Sequence, residues 1–321
     1  MSVERVHRMT HAVDVAAPAG VLYALVADTA QWPLLVPDTV HVEPWDFDGS
    51  RERFSLWDTR DGTVRSSLWR RTLDPERRRI DFRQEVPAAP VTSAGGSWTV
   101  RQLAPGWSRL TLEQDFTVAG NRGSDVERAR ADVERGGRIM LDRLREAAER
   151  WERLDALTMS FEDSVRFDGP GEPVGAFLYD VASWSGRVPH IARVDVVEDR
   201  PGVQRATTHR LTADGSVHTT ESVRVSFPAA GRTVYKETVP SPLLAAHTGE
   251  WSIVPDETGV TVLSLHHVLL DERMVERVLG PDADLSQARR YVRESLGRES
   301  AATFEQARAY ARSAVRGLRA L

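Results

Sequence analysis

Two strand-like segments carry the residue types best suited to handling an oxygen that gains negative charge. From Val64 to Arg71, alternation groups Arg65, Ser67, Trp69 and Arg71 on one face and Val64, Ser66, Leu68 and Arg70 on the other. From His218 to Arg224 it groups His218, Thr220, Ser222 and Arg224. A guanidinium keeps its charge and offers several N–H donors, so it suits an oxygen that carries or gains negative charge. The polarity of the two faces does not decide which set points inward. In so arginine-rich a chain, an ion pair with Asp or Glu at the sheet rim is the competing role for each arginine.

Histidine is the second source of chemistry. Six of the nine, His190, His209, His218, His247, His266 and His267, fall in the second half of the chain. Imidazole can act as acid and base near neutral pH. His209 and His218 flank Asp214-Gly215 almost symmetrically, which predicts cross-strand neighbours. Of the adjacent His266 and His267 only one can face inward; His267 shares parity with Leu263 and Leu265 and is the expected one. The alternative for each histidine is a surface or sheet-edge place. No H-x-x-E-H or H-x-E-x-x-H pattern accompanies them, so no metal is expected. Asp28 and Asp180 sit where a capping or turn role outweighs catalysis. Gly136-Gly137, inside a helical pattern, points to a close approach or a kink.

Composition narrows the classes. The 321 residues include no cysteine, which excludes disulfides and a thiol nucleophile. A net charge of −5 argues against a nucleic-acid partner, and Lys236 is the only lysine among the cations. With 41% apolar and 28% charged residues the chain reads as globular. It has no run of the ~18 apolar residues that would span a membrane. The first residues lack the apolar core of a signal peptide, so a cytoplasmic location is expected.

The elements that must position these residues occur twice. Asp28-Thr29-Ala30-Gln31-Trp32 followed by Val36-Pro37 recurs as Asp180-Val181-Ala182-Ser183-Trp184 followed by Val188-Pro189, 152 positions later. At offsets of 152 or 153, Asp61-Gly62 matches Asp214-Gly215, Arg71 matches Arg224, and Glu85 matches Glu237. Gly96 and Trp98 likewise match Gly249 and Trp251, and Leu110 and Leu112 match Leu263 and Leu265. Two domains are expected, over 1–153 and 158–321.

In the first, Met9 to Ala16 alternates as a strand, Pro18 starts a short helix and Trp32-Pro33 ends a second one. Six strands follow, punctuated by Asp48-Gly49, Asp61-Gly62, Pro75, Gly95-Gly96 and Pro105-Gly106. A long helix capped at Ser124-Asp125 closes the unit, with Val126, Ala129, Val133, Met140, Leu144 and Trp151 as its apolar stripe. The second begins with a strand from Phe161 to Phe167. It ends in a helix from about Asp284 to Leu318, with Phe304, Ala307, Ala311, Ala314 and Leu318 as its stripe.

This order resembles the START/Bet v 1-like superfamily: an α+β fold of two tandem helix-grip domains, each a curved antiparallel sheet around a long C-terminal helix. More narrowly, Trp32-Pro33, the Trp and Arg residues of the middle strands and the duplication resemble the di-domain polyketide aromatase/cyclases of bacterial type II polyketide synthases.

The resemblance implies a cofactor-independent enzyme that folds a poly-β-ketone tethered to an acyl carrier protein. It would close the first ring between carbons seven and twelve and dehydrate it, beside other type II synthase components. It places Arg71 in a cavity with Ser67, walled by Trp32, Trp69 and Trp98 with Gln84. The matching set is Arg224 with Thr220, Ser222 and His218, beside Trp184, Trp251, His209 and His267.

The chain departs from the single-domain members. Thr39 and Ile191 stand where those carry a pocket tyrosine, and Gln84 and Lys236 stand in place of a second arginine. The alternative reading is a hydrophobic-ligand or lipid carrier without chemistry, since helix-grip folds host both. Polar groups converging in mid-cavity would favour the enzyme, and an apolar lining the carrier.

Overall fold

The computed structural model describes residues 5–211 and 215–319, with side chains in the last helix described to residue 314. Asp214 and the side chain of Leu318 therefore lie outside the described residues. The chain divides into two compact units between Leu154 and Asp155.

The first unit runs β1 (His7–Val15), α1 (Ala19–Ala27), a 3-10 turn (Thr29–Gln31) and α2 (Trp32–Leu35). Then come β2 (Thr39–Phe47), β3 (Arg51–Arg60), β4 (Thr63–Asp74), β5 (Arg79–Gln84), β6 (Val91–Ala104), β7 (Trp107–Val118) and α3 (Gly123–Glu149). A short α4 (Trp151–Leu157) leads into the second unit. There β8 (Thr158–Asp168), α5 (Glu172–Tyr179) and a 3-10 turn (Val181–Trp184) precede β9 (Ile191–Arg200), β10 (Val203–Leu211) and β11 (Val217–Phe227). The unit continues with β12 (Arg232–Val239), β13 (Leu244–Pro255), β14 (Gly259–Leu270), α6 (Val275–Leu279) and α7 (Leu285–Arg319). Each sheet has seven antiparallel strands, ordered β1-β7-β6-β5-β4-β3-β2 and β8-β14-β13-β12-β11-β10-β9. The expected tandem helix-grip α+β architecture is the observed one.

Each core lies between the inner sheet face and the helices. In the first unit Leu22 and Val26 of α1 and Leu141 and Leu144 of α3 bury against Val15, Trp98, Leu110 and Leu112. In the second, Val174 and Phe177 of α5 and Phe304 and Ala307 of α7 bury against Trp251, Val260 and Val262. Each large apolar side chain so enclosed contributes about 1.5–3 kcal/mol.

Three local expectations are corrected. Pro33 sits in the first turn of α2 and opens that helix, because the first turn does not need its missing N–H. Helix α3 begins at Gly123 with no side-chain cap, so Ser124-Asp125 lies inside it. It breaks at Arg150, which leaves Trp151 40% exposed and off the apolar stripe.

Pairing superimposes the units row by row. One inward-facing row reads Glu52, Arg71, Phe82, Gly96, Gln114 and Met9. Its counterpart reads Gln204, Arg224, Tyr235, Gly249, His266 and Phe161. The two glycines serve one purpose. A Cβ on Gly96 would stand 2.9 Å from the Phe82 ring, and one on Gly249 2.4 Å from the Tyr235 hydroxyl, so each aromatic ring lies across a bare strand.

Candidate functional site

In the first unit Arg71 is an anchor. Its side chain is almost fully buried, 1% exposed. Its Nε donates to Glu52 at 2.9 Å and its Nη2 donates to the same carboxylate at 2.5 Å. The remaining bonds go to the last carbonyls of α1, Val26 O at 3.0 Å and Ala27 O at 2.6 Å. Thr29 Oγ1 donates to the other Glu52 oxygen at 2.9 Å. The expectation of a guanidinium presented to a cavity is therefore corrected: Arg71 ties α1 to β3 and β4, the ion-paired role, but in the interior. Trp32 lies against it, its ring centroid 5.3 Å from Cζ, and bonds Leu25 O through its indole N–H at 3.3 Å.

Ser67, Trp69 and Arg71 do share the inward face, while Arg65 is exposed near the hairpin end. Ser67 Oγ accepts from the Trp69 indole at 2.8 Å. Trp69 leads through Phe82 to Trp98 by ring contacts of 5.9 and 6.4 Å, and Gln84 pairs with Trp69 across β4 and β5.

The second unit contains a cavity of about 70 Å³. Arg224, Ser222, Trp184 and Trp251 line it as expected, and so do His190, Arg210, Tyr235, Glu237, His247, His266, Glu299 and Ser300. Trp184 and Trp251 meet edge to face at 6.3 Å. Trp184 lies 5.7 Å from the Arg224 guanidinium and donates to Phe177 O at 2.9 Å. Burial lowers the Arg224 pKa to about 10. Thr220 is buried on the same face and accepts from Arg210 Nε at 3.2 Å, so it positions that arginine. Half-buried His218 pairs across the hairpin with Arg210, and burial lowers its pKa.

A continuous polar chain crosses this cavity. Arg210 Nη2 donates to Glu237 Oε1 at 3.3 Å, and Nη1 donates to Glu299. Burial works against the Arg210 charge, but Glu299 and Glu237 outweigh it and hold the pKa above the ordinary value. Burial likewise opposes the Glu237 carboxylate, yet His247 and Arg210 draw its pKa below normal, so it stays ionised. His247 Nδ1 lies 3.1 Å from Glu237 Oε2, but the approach is too oblique for a hydrogen bond. An alignment of this kind commonly tightens when a ligand binds.

Beyond it, His247 Nε2 is 3.1 Å from His266 Nδ1, and the Tyr235 hydroxyl lies 3.4 and 3.2 Å from those two nitrogens. His266 Nε2 meets Ser264 and Ser300, each at 3.0 Å. Burial, then the charge of His247, lowers the His266 pKa to about 2, so this imidazole is neutral. Burial raises the Tyr235 pKa, keeping the phenol protonated as a donor. The set thus combines a carboxylate beside an imidazole, a protonated phenol and a guanidinium, which together can remove one proton and deliver another.

Four expectations are corrected here. His209 and His218 are not neighbours: the register pairs Arg210 with His218 and His209 with Thr219, so His209 turns to the outer face, toward Asp195 at 3.7 Å. His267 also faces outward, against Ser160 at 2.7 Å, while His266 is 4% exposed inside. The inward phase of β14 is Val260, Val262, Ser264 and His266, so Leu112 corresponds to Ser264 and not to Leu265. Finally, Glu237, not Lys236, stands where Gln84 stands, four residues beyond the matched pair Thr233 and Ile80. Tyr235, Glu237, His247, Arg210 and Glu299 were not singled out as site residues. Strand parity counted from the core valines of β14 finds His266 and, carried through Gly249 to β12, Tyr235; Glu299 is brought to the cavity by α7 and carries no such signal.

The same architecture occurs in relatives along the whole chain. The family described as "Polyketide cyclase / dehydrase and lipid transport" matches residues 6–149. The granaticin polyketide synthase bifunctional cyclase/dehydratase of Streptomyces violaceoruber is 38% identical over 94% of this chain and 93% of its own. The actinorhodin polyketide synthase bifunctional cyclase/dehydratase of Streptomyces coelicolor is 36% identical over 95% of this chain and 97% of its own. The crystal structure of the di-domain ARO/CYC BexL from the BE-7585A biosynthetic pathway superposes with a TM-score of 0.86 at 36% identity. It covers 95% of this chain and 98% of that one. The fold and the buried acid–base set define a helix-grip enzyme. The chain belongs to the polyketide cyclase/dehydratase family, in its two-domain aromatase/cyclase form.

Proposed function

We propose that this enzyme closes the first ring of an acyl-carrier-protein-bound poly-β-ketone, between carbons seven and twelve, and dehydrates it, with the proton transfers made in the second unit. One observation carries the assignment to the second unit. On matching rows, Tyr235, Glu237, His247 and His266 replace Phe82, Gln84, Ala94 and Gln114, so on these rows, among the described residues, the acid–base set belongs to the second unit alone.

The chemistry follows from positions. A ring β-hydroxyketone placed with its carbonyl toward Arg224 and Tyr235, register partners on adjacent strands, has its methylene acidified. In its uncharged form His247, backed by Glu237, takes the methylene proton, the C–H electron pair becomes the ring double bond, and the hydroxyl departs as water with a proton returned from the network. A cavity of about 70 Å³ holds only a few waters, so a ring enters as the lining side chains move apart. The convergence of charged groups argues against a lipid carrier, whose lining would be apolar.

The test reconstitutes a minimal type II synthase with and without this protein and profiles the products. The expected result is aromatic first-ring product only with the protein; an identical profile in both arms overturns the proposal.

A further inference from the structure

The two units differ in one charge at the foot of the matched row. In the first, Glu52 faces Arg71 and neutralises it, with the Thr29 hydroxyl supporting the carboxylate. In the second, Gln204 occupies the place of Glu52, and Val181, which opens the equivalent 3-10 turn, occupies that of Thr29. The loss shows in both partners. Arg224 Nε, the atom that in Arg71 holds the carboxylate, is buried without a hydrogen-bond partner, and so is Gln204 Oε1. Arg224 retains one bond, from Nη2 to Leu178 O at 2.6 Å. The Gln204 amide instead donates to Glu198 at 3.3 Å. Arg224 lines the cavity, whereas the first-unit arginine is closed off by its own counter-ion. A buried guanidinium without a counter-charge is costly, and an anionic oxygen entering the cavity would supply it.

We propose that Gln204 is a positioning residue: by denying Arg224 a protein carboxylate, it turns the end of the second cavity into an anion subsite for the enolate oxygen of a β-dicarbonyl. This rests on the function proposed above and adds to it the residue that decides which of the two matched arginines can serve substrate. It makes the subsite selective for the ionised form of the substrate, formed when a methylene C–H bond breaks, its electron pair moves onto oxygen and the proton passes to a base.

The test uses the full chain and acetylacetone, the smallest β-diketone, whose enolate absorbs in the ultraviolet apart from the neutral forms; here the released proton goes to buffer. With the wild-type chain the bound probe should ionise about one pH unit below the free probe, a tenfold rise in its ionisation constant. Gln204→Glu, which restores the first-unit ion pair, should abolish that shift and lower ring-product formation in the reconstituted synthase about a hundredfold. If Gln204→Glu fails to fold by circular dichroism, Glu198→Gln with Gln204→Glu replaces it, since that pair retains the hydrogen bond with the amide reversed.

A Gln204→Glu chain that keeps the wild-type enolate shift overturns the proposal. So does a wild-type chain that gives no shift while still directing the synthase's products, which leaves the cyclase function standing. An enolate shift in a protein that leaves the synthase's products unchanged supports the subsite and overturns the function instead.

Discussion

The Tyr235 hydroxyl gives the sharpest separation of chemistry from stability. Tyr235→Phe removes one oxygen and supplies the residue that the first unit already carries as Phe82, over a glycine in the same place. The hydroxyl's contacts are long, 3.4 Å to His247 Nε2 and 3.2 Å to His266 Nδ1. Removing it strands neither nitrogen, because the two imidazoles remain 3.1 Å apart. The stability change should therefore stay within the net value of one ordinary hydrogen bond, about 0.5–1.5 kcal/mol. The loss of an acid or oxyanion donor at the reacting carbonyl should slow ring dehydration by about 10²–10⁴-fold, equivalent to about 3–5 kcal/mol of barrier. The assay pairs a urea unfolding curve with the rate of aromatic product formation in a reconstituted synthase. An undiminished rate in a normally folded variant would refute the role given to Tyr235.

Further expectations follow from the same geometry. His266→Gln, which imports the first-unit residue at that row, should depress aromatic product formation, whereas His267→Ala and His209→Ala should leave it intact; equal losses in the three would show that the inward phase of β14 does not matter. Glu52→Ala leaves the Arg71 guanidinium buried beside helix carbonyls alone and should destabilise the chain by about 3–5 kcal/mol, read by chemical denaturation; an unchanged midpoint would contradict the anchor. Acid should also weaken the fold in a defined window. His266 is neutral in the folded state, with a pKa of about 2 against 6.5 for a free histidine, so the unfolded chain takes up the proton first. Stability is full above pH 6.5 and should fall by about 1.4 kcal/mol per pH unit below it. Glu237, whose pKa is lowered from 4.5, adds a loss of the same sign as pH drops through its folded value. His266→Gln should flatten the upper part of that slope in denaturation curves between pH 5 and 7, and an unaltered slope would contradict the buried neutral imidazole.

Much of the architecture was legible because duplication is a strong signal. The Asp-x-x-x-Trp turns and the near-constant offset correctly implied two like units with the same strand order. Arg71 and Arg224 were found as inward-facing equivalents, but their unlike roles were not. Those depend on Glu52 and Gln204, which lie nineteen or twenty positions away and meet the arginines only through strand pairing. The histidine assignment failed for a related reason. A strand residue's face is set by odd or even count, and a single-residue change of offset between β13 and β14 moved the match from Ser264 to Leu265 and the favoured histidine from His266 to His267. Counting from Val260 and Val262, which are buried in one core cluster with residues of α5 and α7, would have restored the phase. Pro33 misled because proline both stops one helix and opens another, and here it lies in the first turn of α2.

The central claim is that chemistry resides in the polar chain of the second cavity. Its most direct measurement is the product profile of a reconstituted synthase supplied with a chain in which Tyr235→Phe, Glu237→Gln, His247→Ala and His266→Gln rebuild the first unit's lining inside the second. Circular dichroism and unfolding curves establish that the variant is folded. The account predicts loss of the aromatic first-ring product, with undehydrated or misfolded polyketide in its place. Aromatic product formed at the wild-type level by that folded variant would contradict it.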